Sequence, residues 1–471
     1  MTSEGNNAYI NDILDLSESP SPKEKSEIIE FLAHTNILIT GGTGFLGKLL
    51  VEKLLRICPD IEKLYITVRP RKGKTPLERF KENFDDIIYN RLKREQPNFI
   101  NKVVMLEADM SQDECGLSSK DKKLLISTNI IFHVAADVRF DQKIRDIANI
   151  NVRSTKFLLS FAKTLPNLKA FVHVSTAYSN CIYPVIDEIH YKDVDADKFL
   201  TLLDIMDDER LQKIIPILLD RYPNTYAYTK AIGENVILKY GDDLPVCIVR
   251  PSIVISTSKE PIAAWTNNLY GFTGVFVASG IGLLHSLLCK VECIADIIPA
   301  DYVVNTMIAS AWDVANIKAA NKLVEYSKIP DKEMIPVYNC VSSCQNPITW
   351  GEVMHKSEVY ACKIPPTKFL WQWRFKNDNV LKLWKKMNSV DQQNFCFHMS
   401  TINWDDYFFL HVRGLRTYML NDPLDTVEVA RKQYLKLRIV HYTIITVASL
   451  LFLSMLVFFV SYLWSLCPLS H

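Results

Sequence analysis

The stretch Ile37–Gly47, with the sequence ILITGGTGFLG, decides the fold of this chain. An apolar strand runs into a glycine turn, and residues 48–56 are predicted to form a helix. Gly41 permits a tight turn, Gly44 lets the backbone approach a pyrophosphate, and Gly47 lets the helix pack closely on the strand. The N–H groups at the start of the helix would face the phosphates. The candidate cofactor-binding residues of this turn are Gly41, Thr43, Gly44, Phe45, Leu46 and Gly47.

Five further apolar runs follow, and helical segments separate them. They are KLYITV at 63–68, KVVML at 102–106, NIIFHV at 129–134, AFVHV at 170–174 and VCIV at 246–249. Near-continuous apolar strands of this kind are covered on both faces, as in a parallel sheet. The predicted fold class is therefore α/β, a doubly wound Rossmann-type parallel sheet within residues 34–350.

A basic cluster follows the second predicted strand, where the ribose of a dinucleotide is recognised. An Asp or Glu at this place would hold a ribose 2′-hydroxyl, but the chain has Arg69 and Arg71, followed by Lys72 and Lys74. Cations at this position suit a 2′-phosphate, so NADPH is the predicted cofactor. A solvated basic loop is the alternative.

Further candidates fall at the carboxyl ends of predicted strands, where cofactors bind in this type of sheet. Asp109 follows the third strand and could accept a hydrogen bond from the adenine amino group. Ala135 follows the fourth strand and is small enough for the nicotinamide half to pass close to the backbone. Asn151 opens the next predicted helix, and both a helix cap and a role in the site are open for it.

Tyr226 and Lys230 stand one helical turn apart, so their side chains lie on the same face. Hydride addition to a carbonyl carbon creates an oxyanion, which needs a proton or a hydrogen bond as it forms. Tyr226 would supply the proton, while Lys230 would lower the pKa of Tyr226 and hold the ribose hydroxyls. Thr176, or with less support Ser175, would bind the carbonyl oxygen. Aromatic packing on a helix is the alternative for Tyr226.

Composition narrows the partners of this 471-residue chain. Its 54 Lys+Arg and 53 Asp+Glu leave a net charge of +1, which gives no electrostatic case for binding nucleic acid. The 11 cysteines are scattered without a metal-ligand spacing, so reduced thiols and no metal site are predicted. Residues 1–33 form a polar N-terminal segment without the character of a secretion signal.

Residues 443–464, TIITVASLLFLSMLVFFVSYLW, are 22 residues without a charge. About 20 apolar residues span a bilayer, so a transmembrane anchor is predicted over 441–464. Four basic residues precede it within 431–438, which favours a catalytic part that faces the cytosol. The sequence thus predicts a single-pass anchor at the C-terminal end, in the endoplasmic reticulum or the peroxisome. A buried core helix is the alternative.

A second charge-free run, residues 261–289, contains Asn267, Asn268 and several glycines. It fits a spanning helix poorly. An apolar surface that lines an acyl pocket or touches a membrane fits it better, which points to a lipid substrate.

The glycine turn followed by Tyr-x-x-x-Lys resembles the short-chain dehydrogenase/reductase superfamily. Within it, residues 36–442 are similar to the alcohol-forming fatty acyl-CoA reductases, especially those of insects. The segments that carry the likeness are TGGTGFLG (40–47), VRPR (68–71), HVSTAY (173–178), RYPNTYAYTK (221–230), RPSIV (250–254), ADIIPADYVVN (295–305) and RGLRTY (413–418). The acidic insertion 182–222 also resembles that family. One departure is IAAWTNN at 262–268, where the family usually has Pro-Gly before the tryptophan and Asp-Asn after it.

The resemblance implies an NADPH-dependent reduction of a long-chain acyl-CoA through an aldehyde to a primary alcohol, with release of CoA. It also implies a helical C-terminal module, here over 354–440. Three alternatives differ in kind: a reductase that stops at the aldehyde, a membrane sterol or hydroxysteroid dehydrogenase, and a nucleotide-sensing scaffold without activity. The oligomeric state is not predicted.

Overall fold

The structure is a computed structural model of the chain. It describes residues 25–71, 73–280, 283–284, 289–324, 335–361, 374–375 and 377–420, and part of 422–457. The chain divides into two compact units, residues 1–414 and residues 415–471. The site described below lies in the first unit.

Seven parallel strands form the central sheet, in the order β3-β2-β1-β4-β5-β7-β10. The strands of the described chain are β1 (Asn36–Thr40), β2 (Lys63–Val68), β3 (Val103–Glu107), β4 (Ile130–His133), β5 (Ala170–Val174), β6 (Val185–Ile186), β7 (Val246–Pro251), β8 (Ile253–Ile255), β9 (Ile297–Pro299), β10 (Val337–Cys340) and β11 (Arg374–Phe375). Ile37 of β1 pairs with Leu64 of β2 and with Ile130 of β4. The strand order reverses between β1 and β4, and open α/β sheets bind ligands in the crevice at such a switch point.

Helices cover both faces of this sheet. The described helices are α1 (Glu27–Leu32), α2 (Phe45–Ile57), α3 (Pro76–Asp85), α4 (Asn90–Glu95), α5 (Ser119–Leu124), α6 (Ile144–Ala148), α7 (Ser154–Ala162), α8 (Ala196–Ile205), α9 (Asp208–Leu219), α10 (Thr225–Tyr240), α11 (Phe272–Gly280), α12 (Ala300–Val324), α13 (Trp350–Ala361), α14 (Asp378–Lys386), α15 (Ser389–Asn394) and α16 (Trp404–Gly414). Leu38, Ile131 and Phe171 share one apolar core with α7 and α10. Because strand side chains alternate, Ile37 and Ile39 point to the other face, where they are also buried. Burial on both faces is what the apolar strand sequences predict.

The parallel sheet predicted from six apolar runs is confirmed, with small differences at the ends of the elements. Helix α2 begins at Phe45 instead of the expected Lys48, because Gly44 takes the N-cap position directly after the turn. The sequence does not predict β10, because its four residues, VYNC, are too few and too mixed to mark a strand. The acidic insertion 182–222 contains the helices α8 and α9.

The polypeptide after β10 packs on the first half of the chain through buried polar contacts. Asp391 of α15 accepts hydrogen bonds from the Ser26 hydroxyl and, at 3.0 Å, from the Glu27 N–H. These bonds fix the start of α1 on α15. The predicted domain limits, 34–350 and 354–440, stay predictions.

A buried charged cluster makes a second connection, between α2 and the segment after β8. Glu260 accepts hydrogen bonds from Lys53 Nζ at 2.8 Å and from Arg56 Nη2 at 2.6 Å. Arg56 also pairs with Glu52 one turn earlier, at 2.8 Å. Lys53 Nζ donates a further bond of 2.5 Å to the carbonyl of Asn394. Helix α2, the segment after β8 and the end of α15 thus meet at one set of paired charges.

In the part of the chain that the structure describes, no helix is both long and apolar enough to cross a membrane. Residues 441, 445, 448 and 458–471 lie outside that part, so the predicted anchor over 441–464 is described incompletely. Among the described residues of the second charge-free run, 261–289, the helix is α11, which has nine residues.

Candidate active site

A cavity of about 590 Å³ opens at the carboxyl ends of the sheet strands. The predicted site residues that line it are Gly41, Thr43, Gly44, Phe45, Leu46, Gly47, Arg69, Arg71, Asp109, Ala135, Ser175, Thr176, Tyr226 and Lys230. Residues from five strand ends and from helix α10 therefore meet in one space. The cavity also has lining residues that sequence analysis does not identify, among them Arg79, Asp137 and Arg139.

The glycine turn forms one end of the cavity. Gly41 has a φ of +74°, which side chains other than glycine rarely adopt. A Cβ atom on Gly47 would lie 2.1 Å from the Gly41 carbonyl oxygen, so only glycine fits where α2 crosses the turn. The turn leads directly into the first turn of α2, whose N–H groups and positive dipole end suit a phosphate.

Three guanidinium groups gather beside the glycine turn, from Arg69, Arg71 and Arg79. Arg79, on α3, donates to the Thr43 hydroxyl at 3.2 Å and to the Arg69 carbonyl oxygen. Burial and the neighbouring Arg71 and Arg69 charges lower the pKa of Arg79. Arg69 Nη1 lies 3.6 Å from Asp109 Oδ1, so the Asp109 carboxylate compensates part of the positive charge of the three guanidinium groups. The remaining positive charge makes this end of the cavity suitable for an anion.

Of the other cations predicted here, Lys74 pairs with Glu82 at 2.6 Å, and Lys72 lies outside the described residues. The sequence does not mark Arg79 as a site residue, because it lies eight residues beyond Arg71 in a helix of ordinary composition. Only the packing of α3 beside the turn brings it to the cavity.

Ala135 lies where the backbone after β4 passes the glycine turn. A Cβ atom on Gly41 would come within 3.0 Å of the Ala135 backbone. The Ala135 N–H donates to the Thr40 hydroxyl at 3.2 Å, and that hydroxyl contacts His133 Nδ1 at 2.8 Å. The ends of β1 and β4 are thus held together at the switch point of the sheet.

Tyr226 and Thr176 both line the cavity, and the Thr176 hydroxyl donates to the Pro251 carbonyl oxygen at 3.5 Å and accepts from the Tyr178 N–H at 3.3 Å. Burial raises the pKa of Tyr226 to about 12, against the opposing effect of the nearby Thr176 hydroxyl. The expected lowering of this pKa by Lys230 does not appear, because burial of the phenol dominates. Tyr226 is therefore protonated at neutral pH and can act as a donor.

Lys230 lies one turn beyond Tyr226 on α10 and is buried. Its Nζ donates a hydrogen bond of 2.7 Å to the carbonyl oxygen of Val174, at the end of β5. Burial lowers the pKa of Lys230 to about 8, while the charge of Glu234 acts in the opposite direction. Lys230 thus keeps its charge through neutral pH and loses it at moderately alkaline pH.

Ser175 lines the cavity, but its hydroxyl is committed to a buried network behind the site. It donates to Glu234 Oε1 at 2.5 Å, and the Ser179 hydroxyl donates to the same oxygen at 2.7 Å. Arg250 holds Glu234 with two bonds, from Nε at 2.9 Å and from Nη2 at 2.6 Å. Of the two residues considered for the carbonyl oxygen, Thr176 is therefore the better placed.

Glu234 keeps its charge in this network. Burial alone would raise its pKa, but the charge and hydrogen bonds of Arg250 lower it. Sequence analysis does not identify this ion pair, since 15 residues separate its members and only the packing of α10 on β7 joins them. Lys230 lies one helical turn before Glu234, and the charge of Glu234 acts against the effect of burial on the pKa of Lys230.

Asn151 is not a helix cap. It lies inside the π-helical turn Asn149–Arg153, and its Oδ1 accepts from the Asp137 N–H at 2.9 Å while its Nδ2 donates to the Asp137 carbonyl at 3.1 Å. Asp137 in turn holds Arg139 through bonds of 3.0 Å to Nε and 2.6 Å to Nη2. Asn151 thus supports the segment that forms the cavity wall after β4.

Two family models match the chain, and both are described as "Male sterility protein". The model of an NAD-binding domain matches residues 39–307, and a second model matches residues 369–422. The first range contains every predicted catalytic and cofactor-binding residue.

Curated relatives extend the likeness over most of the chain. Fatty acyl-CoA reductase 1 of Rattus norvegicus is 34% identical, over 90% of this chain and 92% of its own length. The chain belongs to the fatty acyl-CoA reductases. It shares 31% identity with another member, fatty acyl-CoA reductase wat of Drosophila melanogaster, over 90% of this chain and 92% of that protein.

A solved structure supports the fold of this family member. The terminal R domain from the myxalamid PKS-NRPS biosynthetic pathway has a TM-score of 0.53 and 17% identity, over 87% of this chain and 97% of that domain. At this identity the likeness bears on the fold alone, a Rossmann-like parallel sheet with a helical C-terminal part. Membership of the family makes the chain an oxidoreductase with an NAD(P)-binding domain.

Proposed function

We propose that the chain reduces long-chain acyl-CoA to a primary fatty alcohol, with NADPH as the reductant and release of CoA. One arrangement supports the proposal: a single cavity joins the glycine turn and its guanidinium groups to Tyr226, Thr176 and Lys230. In balanced form, one acyl-CoA, two NADPH and two protons give one alcohol, one CoA and two NADP⁺.

The residues at the glycine-turn end fit the cofactor. The turn and the first N–H groups of α2 would hold the pyrophosphate, and Arg69 and Arg71 would hold the 2′-phosphate. Asp109 would accept from the adenine, and Ala135 leaves room for the nicotinamide half. A bound nicotinamide cofactor supplies the hydride.

The central residues would manage the substrate oxygen. Thr176 and Tyr226 would donate hydrogen bonds to the thioester carbonyl, and Tyr226 gives its proton as the oxygen becomes anionic. The resulting hemithioacetal returns its hydroxyl proton to Tyr226, expels CoA thiolate and leaves an aldehyde, whose oxygen the same two hydroxyls would hold during the second reduction. The Lys230 ammonium would hold the ribose and stabilise the phenolate that Tyr226 forms when it gives its proton.

Product analysis tests this proposal. The purified full-length protein is incubated with palmitoyl-CoA and either NADPH or NADH, and the extracted lipids are separated by gas chromatography. We expect hexadecanol with NADPH and free CoA in equal amount. Accumulation of hexadecanal with no alcohol would replace the proposal by a reductase that stops at the aldehyde, and equal rates with NADH would contradict the choice of cofactor.

We also propose that residues 441–464 anchor the protein in a membrane, with the catalytic part in the cytosol. Support comes from the charge-free run 443–464 and the basic residues before it. A chain that ends at Lys436 should move from the membrane pellet to the supernatant. Protease added to intact microsomes should digest the catalytic part, and full protection of that part would contradict the orientation.

A further inference from the structure

We infer that the acyl chain of the substrate docks on an apolar rim at the mouth of the cavity. The rim consists of Val138 and Phe140, which follow β4, and of Leu269 and Tyr270, which precede α11. The inference rests on the proposed function, since the occupant is the hydrocarbon chain of that substrate. The rim would be the place where the hydrocarbon chain binds, and its side chains would sense the length of that hydrocarbon chain.

The four side chains of the rim are exposed to solvent. Phe140 is 62% exposed, Tyr270 and Leu269 are each 55% exposed, and Val138 is 40% exposed. Single exposed apolar residues are common on soluble proteins, but a group of them around one opening marks a surface that binds an apolar partner.

The rim lies beside the cavity and close to the proposed proton donor, Tyr226. The Phe140 ring lies 5.9 Å from the ring of Tyr226, measured between centroids. Val138 and Tyr270 line the cavity itself. Arg139, which lies beside Val138, and Tyr270 line the same cavity, so the two loops meet at its mouth. An apolar path therefore leads from the surface to the proton donor.

Hydrogen bonds and ring stacking hold both loops of the rim in place. The Thr225 hydroxyl donates to the Phe140 carbonyl at 3.3 Å, directly beside Tyr226 in sequence. On the other side, the Tyr270 N–H donates to Asn268 Oδ1 at 2.9 Å. The segment before it is anchored by the stacking of Trp265 on Phe45 of the glycine turn, with centroids 5.6 Å apart.

Charge distinguishes the two parts of an acyl-CoA at this rim. The CoA part carries phosphates and needs unpaired cations, whereas the acyl chain needs none. Arg139, which lines this part of the cavity, is already matched by Asp137 at 2.6 Å. The rim is thus apolar with compensated charge, which favours the hydrocarbon chain over the CoA phosphates.

Chain-length dependence tests the inference. Phe140→Ala and Tyr270→Ala are made in the full-length protein, and kcat/KM is measured with octanoyl-, lauroyl- and palmitoyl-CoA at saturating NADPH. We expect each variant to lose about tenfold with palmitoyl-CoA and little with octanoyl-CoA, since a longer chain covers more of the rim. Phe140→Leu should restore most of the loss, and the KM for NADPH should stay the same.

The matched control is Ile217→Ala, because Ile217 is 77% exposed on α9 and does not line the cavity. A loss that is equal for all three chain lengths, or equal in Ile217→Ala, would overturn the inference. If the wild type reduces no acyl-CoA, the proposed function fails separately. Calorimetric titration with palmitoyl-CoA then decides: weaker binding in Phe140→Ala supports the rim, and unchanged binding overturns it.

Discussion

At the glycine-turn end of the cavity, backbone groups and guanidinium groups are held by turns, by α2 and by the contacts of Arg79. At the mouth, exposed aromatic and aliphatic side chains stand on two loops. The first end can match one fixed group, since hydrogen bonds and charges demand defined distances. The second can accept chains of different length, since apolar burial is non-directional and grows with area. Two separate parts of the molecule would therefore select the cofactor and the substrate.

The largest expected effect lies between these ends, at Tyr226. Tyr226→Phe removes the hydroxyl without changing either end, so kcat should fall by about a hundredfold to ten-thousandfold. The affinity for NADPH, measured by fluorescence titration, should remain close to that of the wild type. Robust alcohol formation by this variant would show that another group supplies the proton.

A smaller effect is expected at the glycine-turn end. Arg69→Ala should weaken NADPH binding by on the order of 1.5–3 kcal/mol, about ten- to hundredfold, and leave NADH nearly unchanged. Lys74→Ala is the matched control, because Lys74 pairs with Glu82 and does not line the cavity. Equal losses for both cofactors would mean that Arg69 does not hold the 2′-phosphate.

The smallest effect is expected in the pH dependence of kcat/KM, which reports on Lys230 in the middle of the cavity. As pH rises through about 8, Lys230 loses its proton, so kcat/KM should fall by about tenfold per unit. Tyr226, with a pKa of about 12, stays protonated over this range and cannot cause the decline. A profile that is flat to pH 10 would remove the ammonium from the mechanism.

The same titration acts on stability with the opposite sign. The folded-state pKa of Lys230 lies below its usual value of 10.5, so the unfolded chain binds more protons between about pH 8 and 10.5. The contribution of this group to the free energy of unfolding therefore rises with pH across that window. Activity and stability should diverge there, which separates loss of the ammonium from alkaline unfolding.

Local patterns allow the fold and the central residues to be predicted. Gly41 and Gly47 mark the turn because no other residue fits their backbone positions, and Tyr226 and Lys230 are neighbours through helix geometry alone. The apolar runs of β1, β2, β4 and β5 directly predict the parallel sheet. Contacts of this kind depend on residues that are close in sequence, so the sequence contains them.

The rest depends on packing between distant segments. Arg79 reaches the cavity only because α3 lies beside the turn, and Glu234 meets Arg250 only because α10 lies on β7. The sequence leaves Ser175 open as a partner of the carbonyl oxygen, and only the folded chain places its hydroxyl on Glu234. None of these contacts follows from periodicity or spacing, so each requires the tertiary structure.

The charged cluster of α2 bears on how the protein is made. Lys53 emerges from the ribosome early, but its partners Glu260 and Asn394 follow more than two hundred and more than three hundred residues later. Until then its ammonium must remain in water, because burying it unpaired would cost several kcal/mol. We therefore expect α2 to reach its final packing only after most of the polypeptide has been synthesised, and we expect a chain that terminates before Asn394 to depend on chaperones.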